Sequence, residues 1–431
     1  MPSNGGGKKD GPEVIVTKLL DPPETDAATK EREELLKVLA ELAGRLEHEL
    51  KDVLRFWDNN SLDTEHLGYL TCVDFDGTIY DTTKYCALEA QQTYIYAKLY
   101  NCTDVYHTED MLNTAKMGGE FLLRHAYRSS DGRCFHSVTR EGKPLSVRPN
   151  IISEVYFVMA FFELHYATKQ SNYISRGETV LKTVLAWIKD SGNINSYGMD
   201  TSYSTLSDLG HVLRMLLAIS EHNPTKLRQH KEDFAYLTKR ILQHIQRSNT
   251  VVLETVQSTG EIEGAIGRLV NPGAVLEIGW LLLKYSLIAH KKELRKQVLT
   301  LFVDKMFTAA WDPNHGGIFT YLDVDGLSPT ELTWNMKLWW PVTEAMIALI
   351  TSYKISGERK FLNNFSRVFD YAMVHFREPG HGEWYGYADN EGRVTHTFKG
   401  GPDKGCFHVA RCLWMCARVV RDIVAAGGVE K

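Results

Sequence analysis

Five stretches of alternating apolar and polar residues are each broken by a pair ending in glycine: Asp76-Gly77, Glu141-Gly142, Thr259-Gly260, Asp325-Gly326 and Glu391-Gly392. Such a pair predicts a β-hairpin, because glycine supplies the positive φ that a tight turn needs. The spacing of these turns constrains the fold more than any other feature. Gly260, Gly326 and Gly392 lie 66 residues apart, and Gly77 and Gly142 lie 65 apart. The interval from Gly142 to Gly260 is nearly two periods, as if one unit had lost its hairpin near Ser191–Gly198. Six units of about 65 residues result, a length at which repeats bury each other's apolar faces.

Helical period fills the space between the turns. Leu35, Leu39, Leu42, Leu46, Leu50 and Leu54 mark one face of the first stretch, with Glu, Lys and Arg on the others. About twelve helices are expected, near 30–57, 84–100, 109–127, 150–168, 171–190, 203–221, 225–248, 271–289, 292–309, 334–355, 358–376 and 405–425. Two helices in each of six units predict an all-α (α/α)6 barrel with short β-hairpins at one mouth. An open helical solenoid is the alternative. The expected organisation is one barrel domain over 30–425 and a disordered Gly/Pro/Lys/Asp-rich tail over 1–29.

With 431 residues, 43% of them hydrophobic, the chain can bury a large core. A net charge of -5 offers no electrostatic footprint for nucleic acid or an anionic membrane. No apolar run reaches the roughly 18 residues of a membrane span. Seven scattered cysteines without a Cys-x-x-Cys pair suit a reducing, cytoplasmic setting. His381, His396 and His408 lack ligand spacing on one element, so no metal site is expected.

Chemistry concentrates between Trp334 and Cys412. The strings are Lys337-Leu338-Trp339-Trp340-Pro341-Val342-Thr343-Glu344-Ala345, Gly382-Glu383-Trp384-Tyr385-Gly386-Tyr387, and Lys404-Gly405-Cys406-Phe407-His408-Val409-Ala410-Arg411. Adjacent tryptophans beside a carboxylate, followed by a His/Lys/Arg cluster, suit a pocket that stacks and hydrogen-bonds a polyhydroxylated ligand. These strings resemble the N-acylglucosamine 2-epimerase family, whose animal members are also called renin-binding proteins. The likeness runs from about Lys30 to Arg418. It includes Asn271-Pro272-Gly273-Ala274-Val275-Leu276-Glu277, Gly118-Gly119-Glu120-Phe121-Leu122-Leu123-Arg124 and His315-Gly316-Gly317-Ile318-Phe319.

The resemblance implies interconversion of N-acetylglucosamine and N-acetylmannosamine by removal and return of the C2 proton. It also implies a sugar ligand, a homodimer and no cofactor, with some members modulated by a nucleotide such as ATP. On this alignment His408, Glu277 and Glu344 are the candidate catalytic residues, and Gln91, Trp339, Trp340, Lys404 and Arg411 the candidate substrate contacts. Three positions depart from the pattern: family His, His and Arg fall on Ala274, Val342 and Gln91. Inverting C2 needs two groups flanking it, one to take the proton and one to return it. Ala274 transfers no proton, and Gln91 carries no charge to stabilise an enediolate. Epimerisation is therefore expected to be impaired or repurposed. Two alternatives stand beside it: an inactive sugar-, nucleotide- or protein-binding relative, and acid–base chemistry on a less polar substrate through Glu277, Glu344 and His408.

Overall fold

The computed structural model describes residues 26–429 except 149, 191–202 and 258. The hairpin expected to be lost near Ser191–Gly198, and the tail up to residue 25, lie outside the described residues. The helices are α1 (Asp26–Asn60), α2 (Cys86–Cys102), α3 (Glu109–His125), α4 (Ile152–Thr168), α5 (Ser171–Asp190) and α6 (Leu206–Ser220). They continue with α7 (Pro224–Gln229), α8 (Lys231–Leu242), α9 (Pro272–Ile288), α10 (Lys292–Val298), α11 (Met306–Ala310), α12 (Trp339–Ser356), α13 (Arg359–His375) and α14 (Phe407–Ala425). Two of the expected helices are interrupted. A break after Gln229 separates α7 from α8, and a π-helical segment, Leu299–Lys305, joins α10 to α11.

Six helices form an inner ring, each touching the next: α2, α4, α6, α9, α12, α14 and back to α2. The ring closes, which makes the molecule an (α/α)6 barrel and not an open solenoid. Inner helices are apolar almost all round, because neighbours and an outer helix cover them. In α4 every residue from Ser153 to Leu164 is buried. Outer helices carry one apolar stripe, as in α13, which buries Phe361, Leu362, Phe365, Val368, Phe369 and Ala372.

Short loops lead from inner to outer helices at one end, and the strands all lie in the longer connections at the other. Strands tie each unit to its neighbour there. Lys84–Tyr85 pairs with Ser137–Val138, Tyr203–Thr205 with Thr255–Gln257, Leu269–Val270 with Leu322–Asp323, and Lys337–Leu338 with Tyr387–Ala388. Val73 exchanges backbone hydrogen bonds with Gly400, joining the last unit to the first.

All five turn glycines hold positive φ, between 74° and 121°. Three of the turns close hairpins, with Asp74, Thr139 and Asp389 N–H donating to the carbonyls of Thr78, Lys143 and Arg393. The other two depart from expectation. Leu322–Asp323 pairs backwards with Leu269–Val270, and the arm after Gly326 runs into Pro329, which has no N–H to give a ladder. At Gly260 the chain only bridges back to Gln257, then breaks into a 3₁₀ turn at Ala265–Arg268.

A buried ion pair recurs at the base of three inner helices. Lys84 meets Asp63 at 2.9 Å, Lys337 meets Asp312 at 2.9 Å and Lys404 meets Glu383 at 2.9 Å. Each lysine lies two or three residues before its helix starts. Asp63 and Asp312 also accept backbone N–H groups two and three residues on, so these carboxylates hold the turn as well as the lysine.

The C-terminal ends of the inner helices enclose a cavity of about 940 Å³ whose walls include Lys98, Glu221, His222 and Lys284. Cations here offset the negative ends of the helix dipoles. Cys102, Glu163 and His222 present ligand-type atoms within 4.8 Å of one another. An ammonium already contacts two of the three: Lys98 Nζ lies 3.2 Å from His222 Nε2 and 3.5 Å from Glu163. Hydrogen bonds to Cys102 and Glu163 raise the His222 pKa to about 9.

Two measurements check these packing statements. Gly392→Ala places a Cβ 2.6 Å from His375 Nδ1 at φ +84°, and should cost about 1–3 kcal/mol in urea unfolding. Gly326→Ala, with open space around it, should cost about 1 kcal/mol. A histidine whose pKa is raised on folding stabilises below its unfolded value and loses that stabilisation as pH rises through the folded one. Stability should therefore fall between pH 6.5 and about 9 by roughly 1–3 kcal/mol, and His222→Gln should flatten that slope.

Candidate active site

All six inner helices aim their N-termini at the strand-bearing mouth. Each carries about half a positive charge at that end, so a developing anion is favoured there before any side chain is considered. The cavity inside the mouth measures about 450 Å³. Its walls are Gln91 from α2, Ser153 and Tyr156 from α4, His211 and Arg214 from α6, Ala274 and Glu277 from α9, Trp339 and Trp340 from α12, and His408 from α14. His136, Arg148 and Asp403 line it from connecting loops.

Local sequence explains the placement of the α9 and α12 residues. Asn271 accepts the Ala274 N–H at 3.2 Å and Pro272 opens α9, so Ala274 and Glu277 fall in the first two turns. Gly273 leaves room for the Trp340 indole, which a Cβ would meet at 2.4 Å. Both tryptophans line the cavity, although successive residues within a helix point about 100° apart. Trp339 sits in the first residue of α12 with a strand before it, where the helical step does not yet apply.

The cavity floor is an ionic network. The Arg214 guanidinium pairs with Glu277 and donates to the Tyr156 hydroxyl. Arg411 reaches Glu277 at 3.4 Å and pairs with Glu344. Glu344 accepts the Trp280 N–H at 2.9 Å and lies 3.2 Å from His408 Nδ1. Two guanidiniums against two carboxylates leave the floor balanced in charge and fixed in position.

The network also sets the histidine tautomers. Glu344 Oε1 lies 3.2 Å from His408 Nδ1, closer than Arg411 Nη2 at 3.5 Å, and as an acceptor it favours the tautomer with the proton on Nδ1 and a lone pair on Nε2. His211 is the opposite case. Arg214 donates to its Nδ1 at 3.3 Å, so Nε2 bears the hydrogen. Burial, reinforced by nearby guanidinium charge, holds His408 well below its ordinary pKa and pushes His211 to about 3. Both rings are neutral at pH 7: one offers a lone pair, the other an N–H.

Of the residues singled out from sequence, Gln91, Glu277, Trp339, Trp340 and His408 meet in this cavity. Glu344 lies behind His408 and is itself paired with Arg411. Lys404 does not reach the cavity wall. Its ammonium is fully buried between Glu383 and the Lys399 carbonyl, in the same structural role as Lys84 and Lys337. Val342 is also fully buried away from the cavity wall, so only Gln91 and Ala274, of the three altered positions, change its lining. His211, Arg214 and Tyr156 were not anticipated. The signal for the first two was a His-x-x-Arg pair, three residues apart in the largely apolar middle of an inner helix.

Replacing Lys404 separates structural from ligand-binding roles. Lys404→Met should lower stability by about 3–5 kcal/mol by stranding Glu383, and should leave the affinity of the folded protein for a sugar unchanged.

Residues 68–412 match the family model described as N-acylglucosamine 2-epimerase (GlcNAc 2-epimerase). The chain is 40% identical over 381 residues to the N-acylglucosamine 2-epimerase of Mus musculus, covering 87% of this chain and 91% of that protein. It is 38% identical over 387 residues to that of Homo sapiens, covering 88% and 90%. Among solved structures, a D-mannose isomerase superposes with a TM-score of 0.75 at 18% identity, covering 87% of this chain and 97% of that one. A cellobiose 2-epimerase from Bacillus thermoamylovorans B4167 also gives 0.75 at 18% identity, covering 89% and 100%. These two share the barrel; the family model and the mammalian proteins carry the kinship, and the chain belongs to the N-acylglucosamine 2-epimerase family.

Proposed function

We propose that this cavity binds an open-chain sugar and removes the proton from C2, with His408 as the base. The observation that carries the reading is the His408–Glu344 contact, which leaves Nε2 as a neutral acceptor on the cavity wall. A proton next to a carbonyl is weakly acidic, so the enediolate oxygen must be stabilised as it forms. His211 Nε2–H and the six helix N-termini supply that stabilisation in place of the charge that Gln91 lacks. Glu344 and Arg411 orient the base, and Trp339 and Trp340 give the apolar sugar face a stacking surface. In the family reaction the sugar is N-acetylglucosamine or N-acetylmannosamine. With Ala274 at a position where a proton donor is needed, that interconversion should run about 10²–10⁴-fold below a two-base enzyme.

The test is NMR of the protein with each N-acetylhexosamine in heavy water, following deuterium at C2. Exchange at C2 that disappears in His408→Gln, with a drop of at least about 10²-fold, supports the reading. Tight sugar binding without exchange would assign the barrel to ligand binding alone. Because His408 must be neutral and is buried neutral, the exchange rate should not fall between pH 8 and pH 6, as it would for an exposed histidine base.

A further inference from the structure

Inversion at C2 requires a second group on the face opposite the base, and among the described residues the cavity does not present one beside α9. Ala274 offers a methyl group, 4% exposed. Its neighbours toward the cavity are Asn271, whose side-chain oxygen caps the helix, Ile278, and Glu277, whose Oε1 is shared by Arg214 and Arg411. His211 does not fill the role. Arg214 occupies its Nδ1, so the ring has no free lone pair, and a neutral imidazole N–H is far too weak an acid to give its proton to carbon. It is placed to hydrogen-bond an oxygen. His136 also lines the cavity, from a connecting loop, with its ring edge-on to Tyr85 at 5.6 Å.

We infer that the site shifts a proton between C2 and C1 on one face of a 2-hydroxy aldose, an aldose–ketose isomerisation, in preference to inverting C2. This rests on the reading of His408 as the base. In the forward step His408 Nε2 takes the C2 proton, the C–H electron pair forms the C1=C2 bond, and the C1 carbonyl pair moves to O1. His211 Nε2–H donates to O1 as it becomes an oxyanion. The O2 proton passes to O1, the O2 pair forms the C2 carbonyl, and the C1=C2 pair takes the proton back from His408 at C1. C2 is oxidised by two electrons and C1 reduced by two, so no co-reactant is needed. One base on one face suffices, because the proton leaves and returns on the same side of the planar enediolate.

The substrate class follows from the second half of that sequence. A C2 hydroxyl becomes a ketone; an N-acyl nitrogen would have to become an acyl imine and give up amide resonance. An unprotected 2-hydroxy hexose therefore completes the shift, and an N-acylhexosamine exchanges its C2 proton without forming a ketose. A cavity of about 450 Å³ is within the usual range for a small ligand.

The experiment offers D-mannose and D-glucose, each deuterated at C2, to the wild-type chain and to His408→Gln, Ala274→His and His211→Gln, with products read by NMR. The expected result is ketose carrying part of the deuterium at C1, no 2-epimer from the wild type, and at least about a 10²-fold loss in His408→Gln. Ala274→His should add the 2-epimer as a product. His211→Gln should lower the rate by about 10²-fold without changing the ketose-to-epimer ratio. Formation of the 2-epimer by the wild type, whether or not it requires His136, would overturn the inference and leave the C2-proton reading standing. Ketose with no label at C1 from any turnover condition would overturn the one-face transfer. Absence of exchange with these hexoses and with N-acetylhexosamines would overturn both readings together.

Discussion

The parallel alignment of six inner helices governs this molecule. Each inner helix must run in the same direction, because each returns to the next through an outer helix packed against it. All N-termini therefore converge on one mouth and all C-termini on the other. The electrostatics divide accordingly. The mouth is favourable for a developing oxyanion before any side chain is counted, and the far end needs Lys98, Lys284 and their neighbours to balance it. Strands that join unit to unit lie only at the mouth, where they fix the first turn of each inner helix and so the residues that face the cavity.

Charge is buried here in two distinct ways. At the bases of three inner helices, Lys84, Lys337 and Lys404 each cancel one carboxylate, and the pair pins the chain as it enters the helix. Across the barrel floor, Arg214, Glu277, Arg411 and Glu344 cancel as a group and, in doing so, assign the protons of His211 and His408. The first arrangement is repeated because the unit is repeated. The second joins residues from four different units, so it has no counterpart within any single one.

Of the three positions that the resemblance sets apart, Gln91 and Ala274 line the cavity. The helix cap at Asn271, the tryptophan pair, Glu277, Glu344 and His408 keep the pocket shape. Neither Ala274 nor Gln91 carries a charge or a titratable group. Val342, which looked like a third alteration of the pocket, is sealed in the core and bears on packing alone.

The sequence by itself determined the repeat architecture but not the closure of the ring. Glycines at a fixed interval and two helical stretches per interval can be satisfied only by stacked, mutually burying units, and the motif strings located most of the cavity wall. Position along the chain carries that information, because turns and helical faces are local. Tertiary structure decided the rest. Lys404 and His408 stand four residues apart, yet one is spent on Glu383 and the other faces the cavity. His211 and Arg214 sit in an apolar helix far from any motif, and only ring closure brings them opposite His408. Which residues share a cavity, and which nitrogen of each histidine holds its proton, depends on side chains from helices distant in sequence, and closing the ring is what sets those distances.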